Sequence, residues 1–370
     1  MIPENSQLPL DHKRLNVGNL LKAHPEFVPA KEIISQFVKT TEAERVEFRE
    51  ITGDVVVIGY AHARPRPIRI IALPCGEAGH ILKLVKLRNE ALAWEHRHGP
   101  SISPDSLETS EQGFWMSAGG VIRQIAVCDD GLEASPWLAV RQDSLVTIFR
   151  PAFDQVALAA KEVTARRFPL SRLNAHPVAS LTRASHGSEK YVDMSFNPWY
   201  TRQFIAIDIL GQWSIWSVGG KPHSSVTLPL VAGKSGNIKD AYEMNSLPGI
   251  PAPVRQDGWY RALWISNLST IVIIGRREIV VFDIKARPKR LRSLQLRSER
   301  ILDAKRSPAD HSHLFVLTTS RVLWVKVAPS GHKESEDHGA SIILSQRHFR
   351  DSSDASLKLC MLNRAPGTLN

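Results

Sequence analysis

Apolar residues recur along this chain in one pattern, four times. Leu138 to Phe149, Ile205 to Trp216, Ile271 to Phe282 and Leu314 to Val325 superimpose without a gap as twelve-residue stretches. Each has a branched apolar residue at its first and third positions and apolar residues again at its ninth and eleventh. Alternation with period two on both arms, around a polar or glycine-bearing middle, predicts a β-hairpin with one buried face. The approach to the hairpin also recurs in part. Val192-Asp193 followed by Asn197-Pro198 is echoed by Leu302-Asp303 followed by Ser307-Pro308.

The hairpins sit in a chain of short β-branched runs separated by Gly, Pro, Asn and Asp. Val55 to Ile58, Ile68 to Leu73, Ile81 to Leu87 and Val121 to Val127 read as strands. The last two hairpins end at Phe282 and Val325, close to the 40–45-residue period of a WD40-type blade. The earlier ones lie farther apart, and the Pro- and Ser-bearing stretches at about 151–190 and 217–257 supply the insertions. Four-stranded units at this period stack radially on one another. The expected fold is therefore all-β: a WD40-like β-propeller over 51–350 with about five blades' worth of strands, whose ring this chain need not close. A β-sandwich is the rival, and the in-register hairpins favour the propeller.

The flanks differ. Residues 1–50 are polar and punctuated by Pro3, Pro9, Pro25 and Pro29, and Ile33, Ile34, Phe37 and Val38 fall at helical spacing. They form a short N-terminal extension with one amphipathic helix, a candidate docking element. After residue 330 the chain turns polar, one strand follows at Ser341 to Ser345, and 351–370 reads as a flexible tail.

Composition narrows the class. With 43% hydrophobic and 23% charged residues, the chain is neither disordered throughout nor a collagen nor a coiled coil. Cys75, Cys128 and Cys360 show no metal-finger spacing and suit a reducing compartment. No signal peptide opens the sequence, and no apolar run approaches the ~18 residues a membrane helix needs. Nine tryptophans against five tyrosines raise the question of packing or binding. Trp213, Trp216 and Trp324 fall on the hairpins, and Trp115, Trp137, Trp199, Trp259 and Trp264 lie in or beside other strands. Trp94 has no clear place.

Catalytic patterns fail on inspection. Gly233-Lys234-Ser235-Gly236 lacks the glycine a phosphate loop needs five residues earlier, where Leu228 stands, and reads as an ordinary loop. Ser185-His186 are neighbours, and no nucleophile elbow occurs. His96/His98 and His311/His313 have strand spacing for a shared face but no metal-ligand company. Asp193, Asp208 and Asp303 read as turn caps. The expectation is no catalytic residue, no cofactor, no metal and no small-molecule substrate.

Charge is more informative. The net charge is +10, and Lys285, Arg287, Lys289, Arg290, Arg292, Arg297, Arg300, Lys305 and Arg306 stand against only Glu299 and Asp303 in the same segment. Arg276 and Arg277 lie just upstream, and Arg64, Arg66 and Arg69 form a smaller group. Such a sector suits nucleic-acid phosphates or an acidic partner, and Lys285 to Arg292 equally suits a nuclear localisation signal. No aromatic is interleaved with it, which argues against stacking on single-stranded bases.

One block is more distinctive than its rhythm. Tyr191 to Trp199, Gln203 to Asp208 and Gly211 to Trp216 together resemble the blade signature of the fungal RNA polymerase I-specific initiation factors of the Rrn-six type, the β-propeller subunit of core factor. Gly53 to Tyr60 is similar to that family's opening strand. The resemblance implies a non-enzymatic scaffold in the nucleus and nucleolus, helping to assemble the initiation complex on ribosomal DNA. Its implied partners are a TFIIB-like subunit, a helical-repeat subunit, RNA polymerase I and, through the complex, promoter DNA, with no membrane contact. The family continues into a helical portion after its propeller, so a sequence ending at Asn370 reads as a shortened product or partial gene model. The alternative is a generic WD40-like adaptor in another pathway.

Overall fold

The computed structural model describes residues 22, 25–31, 53–89, 105–117, 119–128, 135–158, 168–182, 189–220, 227–238, 258–285, 289–291, 293–296, 299–328, 339–351, 354 and 357–361. Two compact units divide the chain, Met1–Ile51 and Thr52–Asn370. In the first, a 3-10 turn covers Pro25–Ala30; the amphipathic helix expected around Ile33 to Val38 lies outside the described residues.

The second unit is built from four-stranded antiparallel sheets. Sheet 1 takes β1 (Val57–Ala61), β2 (Ile68–Cys75), β3 (Ile81–Asn89) and β4 (Asp105–Met116) in chain order. Sheet 2 takes β5 (Ile122–Val127), β6 (Leu138–Gln142) and β7 (Leu145–Phe149). The chain then leaves for a two-stranded ribbon, β8 (Ala152–Leu158) and β9 (Ser171–Asn174), and returns to the sheet with β10 (Pro177–Thr182). Sheet 3 is β11 (Tyr191–Asn197), β12 (Tyr200–Asp208), β13 (Gln212–Val218) and β14 (Leu230–Asn237). Sheet 4 is β15 (Tyr260–Trp264), β16 (Thr270–Gly275), β17 (Glu278–Asp283) and β18 (Lys289–Arg290), with β19 (Leu294–Gln295) also on β17. Sheet 5 is β20 (Ile301–Arg306), β21 (His313–Thr318), β22 (Arg321–Ala328) and β23 (Gly339–Arg347).

All four sequence hairpins are present as the central pairs of sheets 2 to 5, and the hairpin register explains the core. Two-residue turns in sheets 2, 4 and 5 pair the first residue of the stretch with the twelfth: Leu138 with Phe149, Ile271 with Phe282, Leu314 with Val325. Opposed residues share a face, so the first and third positions lie opposite in face to the ninth and eleventh. The hairpins of sheets 2 to 4 therefore bury two faces, not the single one expected, whereas that of sheet 5 buries one face in a core cluster. In sheet 4, Ile271, Ile273, Val280 and Phe282 pack on Ile205, Ile207, Trp213 and Ile215 of sheet 3. Its other face, Val272, Ile274, Ile279 and Val281, packs on Leu314, Val316, Leu323 and Val325 of sheet 5.

Sheet 3 departs from the ungapped alignment. Its turn has three residues, Ile209 to Gly211, with Gly211 at φ 80°, and Ile205 pairs with Ile215 rather than Trp216. That shift puts Ile205, Ile207, Trp213 and Ile215 on one face and gives Phe204, Ala206, Trp216 and Val218 to the contact with sheet 2. A fourth cluster joins sheets 1 and 2 through Ile70, Leu82, Leu84, Trp115, Leu138 and Phe149. Among the described residues, five sheets thus share four apolar interfaces, in chain order. Six of the tryptophans, Trp115, Trp137, Trp213, Trp216, Trp259 and Trp264, are buried in this packing.

Candidate functional site

The first strand of each of sheets 2 to 5 carries a buried polar residue among apolar ones. Gln124, Asp193 and Asp303 each follow a one-residue slip in pairing near the start of β5, β11 and β20. Arg261 stands near the start of β15. Such bulges re-aim side chains, and here they aim them at each other. Gln124 Nε2 donates to Asp193 Oδ1 at 2.7 Å, and Arg141 Nε donates to Gln124 Oε1 at 3.1 Å. Arg261 bridges two carboxylates, its Nε 3.2 Å from Asp193 Oδ2 and its Nη1 3.1 Å from Asp303 Oδ1. The Ala262 N–H donates to Asp193, and the N–H groups of Ala304 and Leu359 donate to Asp303. Sheets 2 to 5 and the segment containing Leu359 are therefore fastened by one polar chain.

Burial costs these charges, and their partners decide the balance. Desolvation pushes Arg141 down to about 10 despite Asp193 nearby. It holds the Asp193 carboxyl above its ordinary range, with Arg261 pulling the other way. Burial also works against the Arg261 charge, but Asp193 and Asp303 outweigh it and keep that guanidinium protonated. Every carboxylate oxygen of Asp193 and Asp303 is engaged by a donor, which makes the network a fastening rather than a proton relay. Of the three aspartates expected as turn caps, only Asp208 is one: it accepts from the N–H groups of Leu210, Gln212 and Glu189. Asp193 and Asp303 are cross-sheet partners instead.

The basic sector is divided between two ends of sheets 4 and 5. Arg276, Arg277 and Arg300 lie where β20 begins; Arg276 Nη1 donates to the Ile301 carbonyl at 3.1 Å. Lys285, Lys305 and Arg306 lie toward the other end, about 20 Å away at ~3.3 Å per strand residue. Lys289 and Arg290 form β18, paired with Asp283 and Phe282. Arg287, Arg292 and Arg297 lie outside the described residues.

Several of these cations are already engaged. The Arg276 guanidinium covers Trp259 at 4.6 Å, and Arg306 lies over Trp199 at 5.7 Å. Lys305 pairs with Asp54 at 2.5 Å, linking sheet 5 to the segment before β1. Arg277, Lys285 and Arg300 are the exposed members. Arg64 and Arg66 are exposed in the β1–β2 turn, and Arg69 is half-buried in β2. Rings thus do meet the cluster, from distant parts of the chain that local sequence reading could not join.

The remaining motifs resolve individually. Gly233 to Gly236 lie in β14, a strand rather than the expected loop, and the Lys234 ammonium donates to the carbonyls of Ile284 and Lys285. His311 meets the edge of Trp199, whereas His313 Nδ1 pairs with Asp310 at 2.9 Å and its ring meets Trp324. Those two rings do not share a site. His96 and His98 lie outside the described residues.

Comparison with known proteins places this architecture. The family model described as Rrn6, beta-propeller, matches residues 51–369. The chain belongs to that family. As an Rrn6-type propeller it is 28% identical, over 171 residues, to the RNA polymerase I-specific transcription initiation factor RRN6 of Saccharomyces cerevisiae. That stretch is 45% of this chain and 17% of the yeast protein, so the match spans under a fifth of the relative's length. The S. cerevisiae core factor crystal structure superimposes with a TM-score of 0.54 at 15% identity, covering 83% of this chain and 43% of that one. The Cps50 (Swd1) β-propeller domain of Myceliophteria thermophila aligns at a TM-score of 0.43 and 8% identity, over 80% of this chain and 73% of that domain. The resemblance read from Tyr191 to Trp216 and the propeller expectation both stand. What sequence reading missed in this Rrn6-type propeller is the Gln124–Asp193–Arg261–Asp303 chain. Its local signals were a polar or charged residue inside a largely apolar strand and the recurrence of Asp193 at Asp303.

Proposed function

We propose that this chain is a subunit of an RNA polymerase I core promoter factor and serves as a non-enzymatic scaffold for assembling the initiation complex on ribosomal DNA. The observation that carries this reading is the family match across residues 51–369, supported by the identity to the yeast initiation factor. A stack of sheets fastened along its first strands suits the holding of partners in fixed relation. The partners on this reading are TFIIB-like and helical-repeat subunits, RNA polymerase I and, through the complex, promoter DNA. The place of action is the nucleus, and the nucleolus within it.

The exposed cations Arg277, Lys285 and Arg300, with Lys289 and Arg290 on β18, add affinity for phosphates or an acidic partner without reading sequence. Charge reversal of Lys285, Arg287, Lys289 and Arg290 to Glu tests this by promoter occupancy and its salt dependence. Occupancy should fall, and the salt slope should flatten as counterion release is lost. Unchanged occupancy and slope would remove the role of these cations. Recovery of the unmodified chain with ubiquitin-ligase or trafficking subunits, and without ribosomal promoter chromatin, would replace the scaffold reading with that of a generic adaptor.

A further inference from the structure

Sheet 5 has two unlike faces. Leu314, Val316, Leu323 and Val325 belong to the cluster shared with sheet 4. On the opposite face Phe315 opposes Trp324, and Trp324 opposes Leu344, giving an apolar row across β21, β22 and β23. No buried cluster among the described residues takes in this row. Its two rings stack at 6.0 Å and 16°. The Trp324 indole Nε1 is buried, yet meets no acceptor among the described residues. The Leu359 N–H donates to Asp303 on β20.

The row ends at the sheet edge in Leu344, exposed by 54%; beside it Ile343 at the bulge is exposed by 48%, Ile342, opposite Val325, by 41%, and Phe349 follows at 84%. Large exposed apolar residues elsewhere on the described surface are single or in pairs, and singles need no explanation. Charge completes the description. β21, β22 and β23 carry His313, Arg321, Lys326 and Arg347 and not one Asp or Glu; His313 pairs with Asp310 and Arg321 with Glu299, so Lys326 and Arg347, both exposed, form the basic border. Lys326 is exposed on the same face as Trp324. The pairing slips between Ile342 and Leu344, which interrupts the edge at its apolar centre and favours recognition through side chains over a continuous added strand.

We infer that this face is a docking surface for another subunit of the same factor, met by a segment whose apolar side chains are bordered by carboxylates. Aromatic anchors inside a basic border select that chemistry. The inference rests on the reading of the chain as a core-factor subunit, and the test separates the two. The full chain is co-expressed with the TFIIB-like and helical-repeat subunits, and affinity for each is measured for the unmodified chain, for Leu344→Asp and for Lys326→Glu with Arg347→Glu. Leu344 is more than half exposed, so the substitution leaves folding intact, as parallel thermal unfolding checks.

Leu344→Asp should weaken binding to one of the two subunits about tenfold or more, the loss expected of a central anchor. The charge-reversed pair should weaken the same association by less, and that difference should shrink at high salt. Equal affinity of Leu344→Asp and the unmodified chain for both subunits would overturn the docking surface and leave the subunit reading standing. If the unmodified chain binds neither subunit, the subunit reading falls and the docking surface with it.

Discussion

Replacing Arg261 with methionine tests the fastening between the first strands of the sheets. The substitution keeps much of the side chain's volume but removes the one cation shared by Asp193 and Asp303, both of which stay buried. Breaking a buried pair from one side costs about 3–5 kcal/mol, because the remaining charge is uncompensated. Asp193 keeps Gln124 and the Ala262 N–H, and Asp303 keeps the N–H groups of Ala304 and Leu359. The lower part of the range, about 3 kcal/mol, is therefore expected, a large share of a typical total of 5–15 kcal/mol.

The loss should also depend on pH. Burial raises the Asp193 pKa above its unfolded value, while Arg261 holds it down. A carboxyl raised on folding contributes stability that is complete below its unfolded pKa and lost as pH climbs through its folded one. Without Arg261 the folded pKa rises further, so the variant goes on losing stability at pH values where the unmodified protein has stopped. The gap between them should therefore never narrow as pH rises, and should be no smaller at pH 7.5 than at pH 4.5. Urea denaturation of both proteins at those pH values, read as midpoint shifts at a common slope, measures it. A gap below about 1 kcal/mol at pH 7.5, or one that narrows from pH 4.5 to pH 7.5, would refute the reasoning.

Two other substitutions probe the packing and the odd turn. Trp213→Ala empties the contact between sheets 3 and 4, where the indole lies 5.4 Å from the Phe282 ring, and should cost about 3–5 kcal/mol in thermal or urea denaturation; a loss no larger than that of a surface substitution would contradict the two-faced packing. Gly211→Val places a branched side chain at φ 80°, with its Cβ 2.6 Å from Ile238 Cγ2, and should destabilise by at least about 1–3 kcal/mol. An unchanged melting temperature would show that the turn relaxes freely.

The hairpins were legible because their signal is local: alternation on two arms and a turn between them. Their two-faced burial was also written in the sequence, since a two-residue turn sends positions one and nine to opposite faces. The three-residue turn of sheet 3 was harder to see, because Ile209-Leu210-Gly211 keeps the same stretch length while shifting the pairing by one. Asp193 and Asp303 were noticed as repeated residues but read as caps. Their partner Arg261 lies in another sheet, and no spacing along the chain reveals a contact made across sheets. The basic sector was legible as composition only. Whether a cation lies free or over a ring, as Arg306 does over Trp199, depends on folding that joins distant segments.

The ribbon β8–β9 sets an order of events during synthesis. Sheets 1, 3, 4 and 5 each consist of strands contiguous in sequence, so each can pair from what has just emerged. Sheet 2 cannot, because its outer strand β10 follows the ribbon. Meanwhile the ribbon already has a partner behind it: Phe153 donates its N–H to the His62 carbonyl, Arg172 pairs with Glu111, and Phe168 stacks on Phe114. The emerging chain thus meets sheet 1 as a template before sheet 2 is finished. The interface between the first two sheets is tied to strands that precede it in the chain, while each later sheet is built from strands in unbroken chain order.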